Sequence, residues 1–158
     1  MNISDLLAPD RVVCSNEVSS KKRAIEMLSE LLASSSPELA VGEIFDSLLS
    51  RERLGSTGLG RGVAIPHGRV SGIDNAVAAM LKLDRGVDYD APDREPVDIL
   101  FALLVPREST DEHLQILATL AHMFADSTTL ARLRDAGDSD ALLSQVSRWK
   151  GGGDNEQP

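Results

Sequence analysis

Val97-Asp98-Ile99-Leu100-Phe101-Ala102-Leu103-Leu104-Val105 is apolar without a break from Ile99. A continuous apolar run of this length, bounded by Pro96 and Pro106, reads as a central strand covered on both faces. Asn75 to Leu83 is the other extended stretch, with Val77, Ala79, Leu81 and Leu83 on one face at period two. The segment between them, Asp84 to Pro96, is acidic and turn-rich, with a short edge strand expected around Val87-Asp88-Tyr89. Arg11 to Cys14 reads as a further short strand, preceded by a helical turn over residues 2–7.

Helical periods surround these strands. Ile25, Leu28 and Leu32 mark one helix; Ile44, Phe45 and Leu48 mark a second, with Ser36 as its cap, Pro37 in its first turn and an end near Arg53. After Pro106, Ser109-Thr110-Asp111-Glu112 has the form of a capping box, and Leu114, Leu117, Leu120, Ala121 and Phe124 are expected on the core face of the helix that follows. A short helical piece at Thr128 to Asp135 and a last helix from Ser139 to Trp149 complete the pattern. The irregular alternation argues an α/β fold, a mixed β-sheet flanked by helices, rather than a pure doubly wound sheet. One domain is expected over residues 1–150, with a disordered polar tail at 151–158.

Composition limits function. The 158 residues are enough for one domain that buries about two thirds of its unfolded surface. A net charge of -9 without a basic block disfavours nucleic acid. No apolar run approaches a membrane span, and Met1 to Leu7 has no signal-peptide pattern, so a cytoplasmic location is expected. Cys14 is the only cysteine, so no internal disulfide can form, and it reads as a small core residue.

Chemistry concentrates between Arg51 and Arg69. Gly55, Gly58, Gly60 and Gly62 fall within eight positions, followed by Val63-Ala64-Ile65 and then Pro66-His67-Gly68. Glycine lets backbone amides approach a ligand, and such amides can form an anion-binding concavity. No Lys follows a glycine as a P-loop requires, and Val63 stands where a dinucleotide fingerprint needs its third glycine. Neither ATP nor NAD is supported, and no cofactor is expected. His67 sits between a rigid and a permissive neighbour, and is the candidate phosphoryl carrier. Arg51 falls in the last turn of the second helix, aimed at the glycine segment. His113 opens the helix at the carboxyl end of the central strand, where ligands gather in α/β sheets. His122, nine residues on, points the opposite way and reads as a surface or helix-packing histidine. No two histidines are spaced i, i+4, so a metal site is not expected.

Arg51-Glu52-Arg53-Leu54-Gly55-Ser56-Thr57-Gly58 through Ile65-Pro66-His67-Gly68 resembles the phosphorylation-site signature of mannitol/fructose-type IIA proteins of the bacterial phosphoenolpyruvate-dependent phosphotransferase system. Gly55-Ser56-Thr57-Gly58 and Arg51 to Leu54 are most similar to the nitrogen-regulatory IIA branch. Glu95 to Pro106 and His113-Leu114-Gln115-Ile116-Leu117-Ala118 extend the likeness to residues 3–148. The resemblance implies a mannitol/fructose-type IIA fold and a phosphotransferase component. His67 would be the acceptor, as a tele-phosphohistidine; Arg51 and His113 would be its companions, and Gly58, Gly60 and Gly62 a phosphoryl-binding loop. An HPr-like carrier would donate the phosphoryl group. The phosphorylation state would govern nitrogen- or potassium-related regulatory targets such as kinases or transporters. The alternative it leaves is a sugar-uptake IIA passing phosphate to a IIB component. Arg61 departs from the family pattern, which has a small or polar residue such as Asn there; an exposed side chain is expected.

Overall fold

The computed structural model describes residues 2–149; the tail expected at 151–158 lies outside them. Six strands form one mixed sheet: β1 (Val12–Ser15), β2 (Gly58–Gly60), β3 (Val63–Ala64), β4 (His67–Val70), β5 (Val77–Val87) and β6 (Val97–Pro106). The strand order is β1-β5-β6-β3-β2, with β4 also paired to β6. β6 is central, as its apolar run requires. β5 runs antiparallel along one edge, while β3 and β4 follow each other in parallel along the other.

The two faces of this sheet separate by residue parity. Leu100, Ala102 and Leu104 of β6, with Ala79, Leu81 and Leu83 of β5, pack under α1 (Lys21–Ala33) and α2 (Val41–Arg53). Ile99, Phe101, Leu103 and Val105 face α3 (Asp111–Ala125), α4 (Ser127–Asp135) and α5 (Ser139–Arg148). Ala78 and Met80 join that second layer, so β5 is covered on both sides. Each large aliphatic side chain buried in this way contributes about 1.5–3 kcal/mol.

Several sequence expectations shift. β5 continues to Val87 and absorbs the edge strand expected there, because Val87 pairs with Val97 across an irregular register. The second helix starts at Val41, not Pro37. Ser36 Oγ accepts from the Glu38 amide and its carbonyl from Leu39, so Ser36-Pro37 makes a turn instead of a helix start. The capping box does not form. Thr110 is the N-cap and no side chain caps the helix. The buried face of α3 is also rotated: His113, Ile116, Leu120, Met123 and Phe124 are inward, while Leu114 is 65% exposed and Ala121 faces solvent.

The glycine-rich segment is a β-hairpin rather than a loop. Gly58 pairs with Ala64 and Gly60 with Val63. The two residues between, Arg61 and Gly62, have φ of 59° and 83°, the left-handed pair that tight hairpins demand.

Candidate active site at the start of β4

Ile65 and Pro66 separate β3 from β4 and let the chain step along the edge of β6. Pro66 has no N–H to offer, but its carbonyl accepts from the Leu103 amide at 2.9 Å, which fixes the strand at the residue before His67. His67 lies opposite Leu103, on the face covered by α3. Gly68 points the other way, and any Cβ there would run into Ser47 Oγ and the Ser47 backbone carbon at 3.1 Å. Glycine is required here for the approach of α2 to β4.

Burial leaves the His67 residue 9% exposed. Its Nδ1 lies 2.8 Å from the Ile65 carbonyl oxygen. A carbonyl can only accept, so Nδ1 carries the proton and the neutral ring keeps its lone pair on Nε2. Nε2 has no hydrogen-bond partner among the described residues and, unlike the His113 nitrogens, is not sealed from solvent. Burial holds the ring below the ordinary histidine value. The Ile65 hydrogen bond opposes that, and the Arg51 and Arg69 charges add to it. A neutral ring with an open Nε2 is a nucleophile at neutral pH.

His113 comes from the first turn of α3. Its ring stands edge-on to His67, with centroids 5.5 Å apart and planes at 70°. Both its nitrogens are buried and have no partner; the only other such side-chain atom among the described residues is Ser109 Oγ. Burial, then the charges of His67 and Arg69, keep His113 below the ordinary value as well. Buried polar groups in folded proteins are ordinarily hydrogen-bonded, so two ring nitrogens without a protein partner single out His113 among the described residues.

Arg51 lies in the last turn of α2, where its charge also suits the helix dipole. Its Nη1 donates to the Gly55 carbonyl at 2.8 Å, closing the turn beyond the helix. The neighbouring Glu52 is buried beneath that turn. It accepts from Tyr89 Oη at 3.0 Å, from the Thr57 hydroxyl and amide, and pairs with Lys21 at 3.0 Å. Burial and the Glu52 carboxylate drive the Tyr89 hydroxyl far above its ordinary range, so it stays a donor.

His67 and His113 are therefore brought together, and Arg51 stands near enough for its charge to act on His67. The hairpin glycines are not. The Gly62 carbonyl accepts from the Asp98 and Ile99 amides, and Ile99 is four residues from Leu103, about 13 Å along β6. Gly60 faces Asp93, and the Gly58 amide donates to Ser56 Oγ at 3.0 Å. These three glycines shape the hairpin. Arg61, at its tip, is exposed and donates its backbone amide to Asp93 at 2.9 Å and its Nη2 to the Ala125 carbonyl at 2.8 Å. His122 is exposed beside Trp149, with ring centroids 6.1 Å apart.

Arg69 is the residue that sequence reasoning passed over. Two residues beyond His67 on β4, it shares that residue's face of the strand, and its charge acts on both histidines. The signal available in advance was the i, i+2 spacing once residues 67–70 are read as a strand. Among the described residues, no group of three His, Cys, Asp or Glu side chains is placed to hold a metal ion. None of the described helices is long and apolar enough to cross a membrane.

Comparison with known proteins agrees with this architecture. The family model for the EIIA 2 component of the phosphoenolpyruvate-dependent sugar phosphotransferase system matches residues 5–149. A nitrogen regulatory protein of Pseudomonas aeruginosa is 44% identical over 146 residues, covering 92% of this chain and 95% of that one. The crystal structure of nitrogen regulatory protein IIA-Ntr from Neisseria meningitidis superimposes with a TM-score of 0.84 at 39% identity, covering 91% of this chain and 98% of its own. The IIA mannitol structure from Escherichia coli shares the fold, with a TM-score of 0.72 at 20% identity over 88% of this chain and 97% of its own. With the mixed sheet and these matches in agreement, the chain belongs to the EIIA 2 family of the phosphoenolpyruvate-dependent sugar phosphotransferase system.

Proposed function

We propose that His67 accepts a phosphoryl group on Nε2 from the phosphohistidine of an HPr-like carrier, and that the phosphorylated and free forms engage regulatory proteins differently. Members of this family are phosphotransfer components that pass phosphate between a phosphocarrier and other components of the system. The observation that carries the reading is the 2.8 Å contact from His67 Nδ1 to the Ile65 carbonyl. It leaves Nε2 as the free lone pair, next to a buried imidazole without partners.

In the transfer, the Nε2 lone pair attacks phosphorus in line. The donor's N–P bond breaks, and the donor imidazole departs with its electrons. His67 then carries phosphorus on Nε2 and the proton on Nδ1, a cationic ring that the Ile65 carbonyl stabilises. Charge on the three equatorial oxygens needs positive potential and donors fixed in advance. Arg51 supplies a permanent charge and a planar fork, of which Nη1 alone is taken up by Gly55. His113 supplies a ring N–H. The regulatory branch is favoured over sugar uptake by the similarity to nitrogen regulatory proteins, and the targets are regulatory proteins such as kinases or transporters.

The test is incubation with phosphoenolpyruvate, enzyme I and an HPr-type carrier, followed by intact mass measurement. One acid-labile phosphate is expected, absent in His67→Ala. Phosphate retained by that variant would place the acceptor elsewhere. Ring-nitrogen NMR of the phosphorylated protein distinguishes Nε2 from Nδ1.

A further inference from the structure

His113 lies on the packed face of α3, in its first turn. α3 begins at Asp111 with no side-chain cap at Thr110, so its first turn is not fixed by local capping. The preceding turn is closed by the Ser109 amide on the Pro106 carbonyl at 2.9 Å and tied to β4 by the Arg107 amide on the Val70 carbonyl at 2.9 Å, and the side-chain contact nearest α3 also comes from β4. Arg69 Nη1 donates to the Arg107 carbonyl at 3.1 Å and also to the Ser109 carbonyl. Ser109 precedes His113 by four residues, about one helical turn.

Arg69 is in turn held from the opposite layer. Ser47 Oγ of α2 accepts from the Arg69 amide at 3.0 Å and donates to the Arg69 carbonyl at 2.9 Å. The backbone of β4 is thus clamped beside His67, while the guanidinium reaches across to the turn before His113. Nε and Nη2 of Arg69 have no partner among the described residues.

We propose that Arg69 is a positioning residue for the phosphoryl-accepting site: by tying the 107–109 turn to β4, it sets His113 against His67. This rests on His67 being the acceptor. The unpartnered edge of its guanidinium adds a second permanent cation to the side of the site opposite α2 and Arg51. Its charge also favours the neutral forms of both rings, which keeps His67 nucleophilic.

Arg69→Gln and Arg69→Lys provide the test. Gln removes the charge and shortens the reach, whereas a Lys ammonium can serve two carbonyls, as Lys82 Nζ does for Arg134 and Ala136 at 2.6 and 2.5 Å. Three measurements are made on each: phosphoryl uptake from an HPr-type carrier, NMR titration of the two rings, and thermal denaturation. Arg69→Gln is expected to stay folded and slow uptake roughly ten- to a hundredfold, the scale of a misplaced catalytic group. Its His113 ring should titrate at higher pH, and Arg69→Lys should recover most of the rate. Unchanged uptake in Arg69→Gln overturns the proposal, and so does slowed uptake with both ring titrations unmoved, which would mark a purely structural staple. Should the unsubstituted protein take up no phosphate, the acceptor reading fails, while the ring titrations still decide whether Arg69 positions His113.

Discussion

His67 donates its Nδ1 proton to the carbonyl of Ile65, two residues upstream, at 2.8 Å. Pro66 lies between them, and its fixed φ restricts the backbone that makes this short contact possible. The bond selects one tautomer, orients the ring, and leaves Nε2 toward solvent.

Both histidines are held below the ordinary value of 6.5, chiefly by burial. Unfolding restores that value, so in mildly acidic solution the unfolded chain binds more protons than the native one. Stability is therefore full above about pH 6.5 and falls as pH drops through the depressed native values. Asp93 and Asp126 are lowered from 3.8 and titrate outside this window. Thermal denaturation at pH 7.5, 6.5 and 5.5 should show a declining Tm. An equal decline in a His67→Gln, His113→Gln double variant would contradict the assignment.

Arg51→Ala removes a partly exposed guanidinium whose one hydrogen bond closes an exposed turn. The fold should persist, with a loss under about 1 kcal/mol. Phosphoryl uptake should fall by about a hundredfold or more, as when a donor to the transferring oxygens is lost. A rate equal to that of the unsubstituted protein would remove Arg51 from the site.

Gly68→Ala places a Cβ against Ser47, where backbone is part of the obstacle. The separation of β4 from α2 must increase, at a cost of about 1–3 kcal/mol. His67 moves with β4, so uptake should slow as well; denaturant unfolding and single-turnover transfer check the two effects separately.

Tyr89→Phe deletes a fully buried hydroxyl that donates to Glu52 at 3.0 Å. The carboxylate keeps Thr57 and Lys21 but loses a buried donor, a cost of about 1–3 kcal/mol. A variant as stable as the parent would show that the Glu52 cluster does not hold the turn after α2.

Arg61→Asn tests the hairpin. Arg61 adopts a left-handed φ of 59°, which Asn tolerates better. The relief of φ is set against loss of the exposed Nη2 hydrogen bond to the Ala125 carbonyl, so stability should change by less than about 1 kcal/mol, with phosphoryl uptake unchanged because the hairpin tip is remote from His67. Slower uptake would return the glycine segment to the active site.

The central place of β6 was legible because it is an unbroken apolar run, and the helical periods around it predicted flanking helices; β2, β3 and β4 were not read as strands, because two to four residues among glycines carry no period. His67, His113 and Arg51 were singled out in the sequence, each through its neighbours, and the structure brings the two rings together with the Arg51 charge acting on His67. The face of α3 was not legible: Leu114 and Ile116 are equally apolar, and only the position of β6 beneath the helix turns Ile116 inward and leaves Leu114 exposed. Nor was the role of the glycines, since positive φ serves a hairpin tip as readily as an anion cradle. Residue type and period along the chain thus determined a mixed sheet with a central strand, and singled out His67 as the candidate acceptor. The tertiary structure alone decided which polar groups meet that histidine. The meeting of β4 with α3 depends on how two covered faces of one sheet pack, and brings Arg69 to the Ser109 carbonyl and His113 to within 5.5 Å of His67.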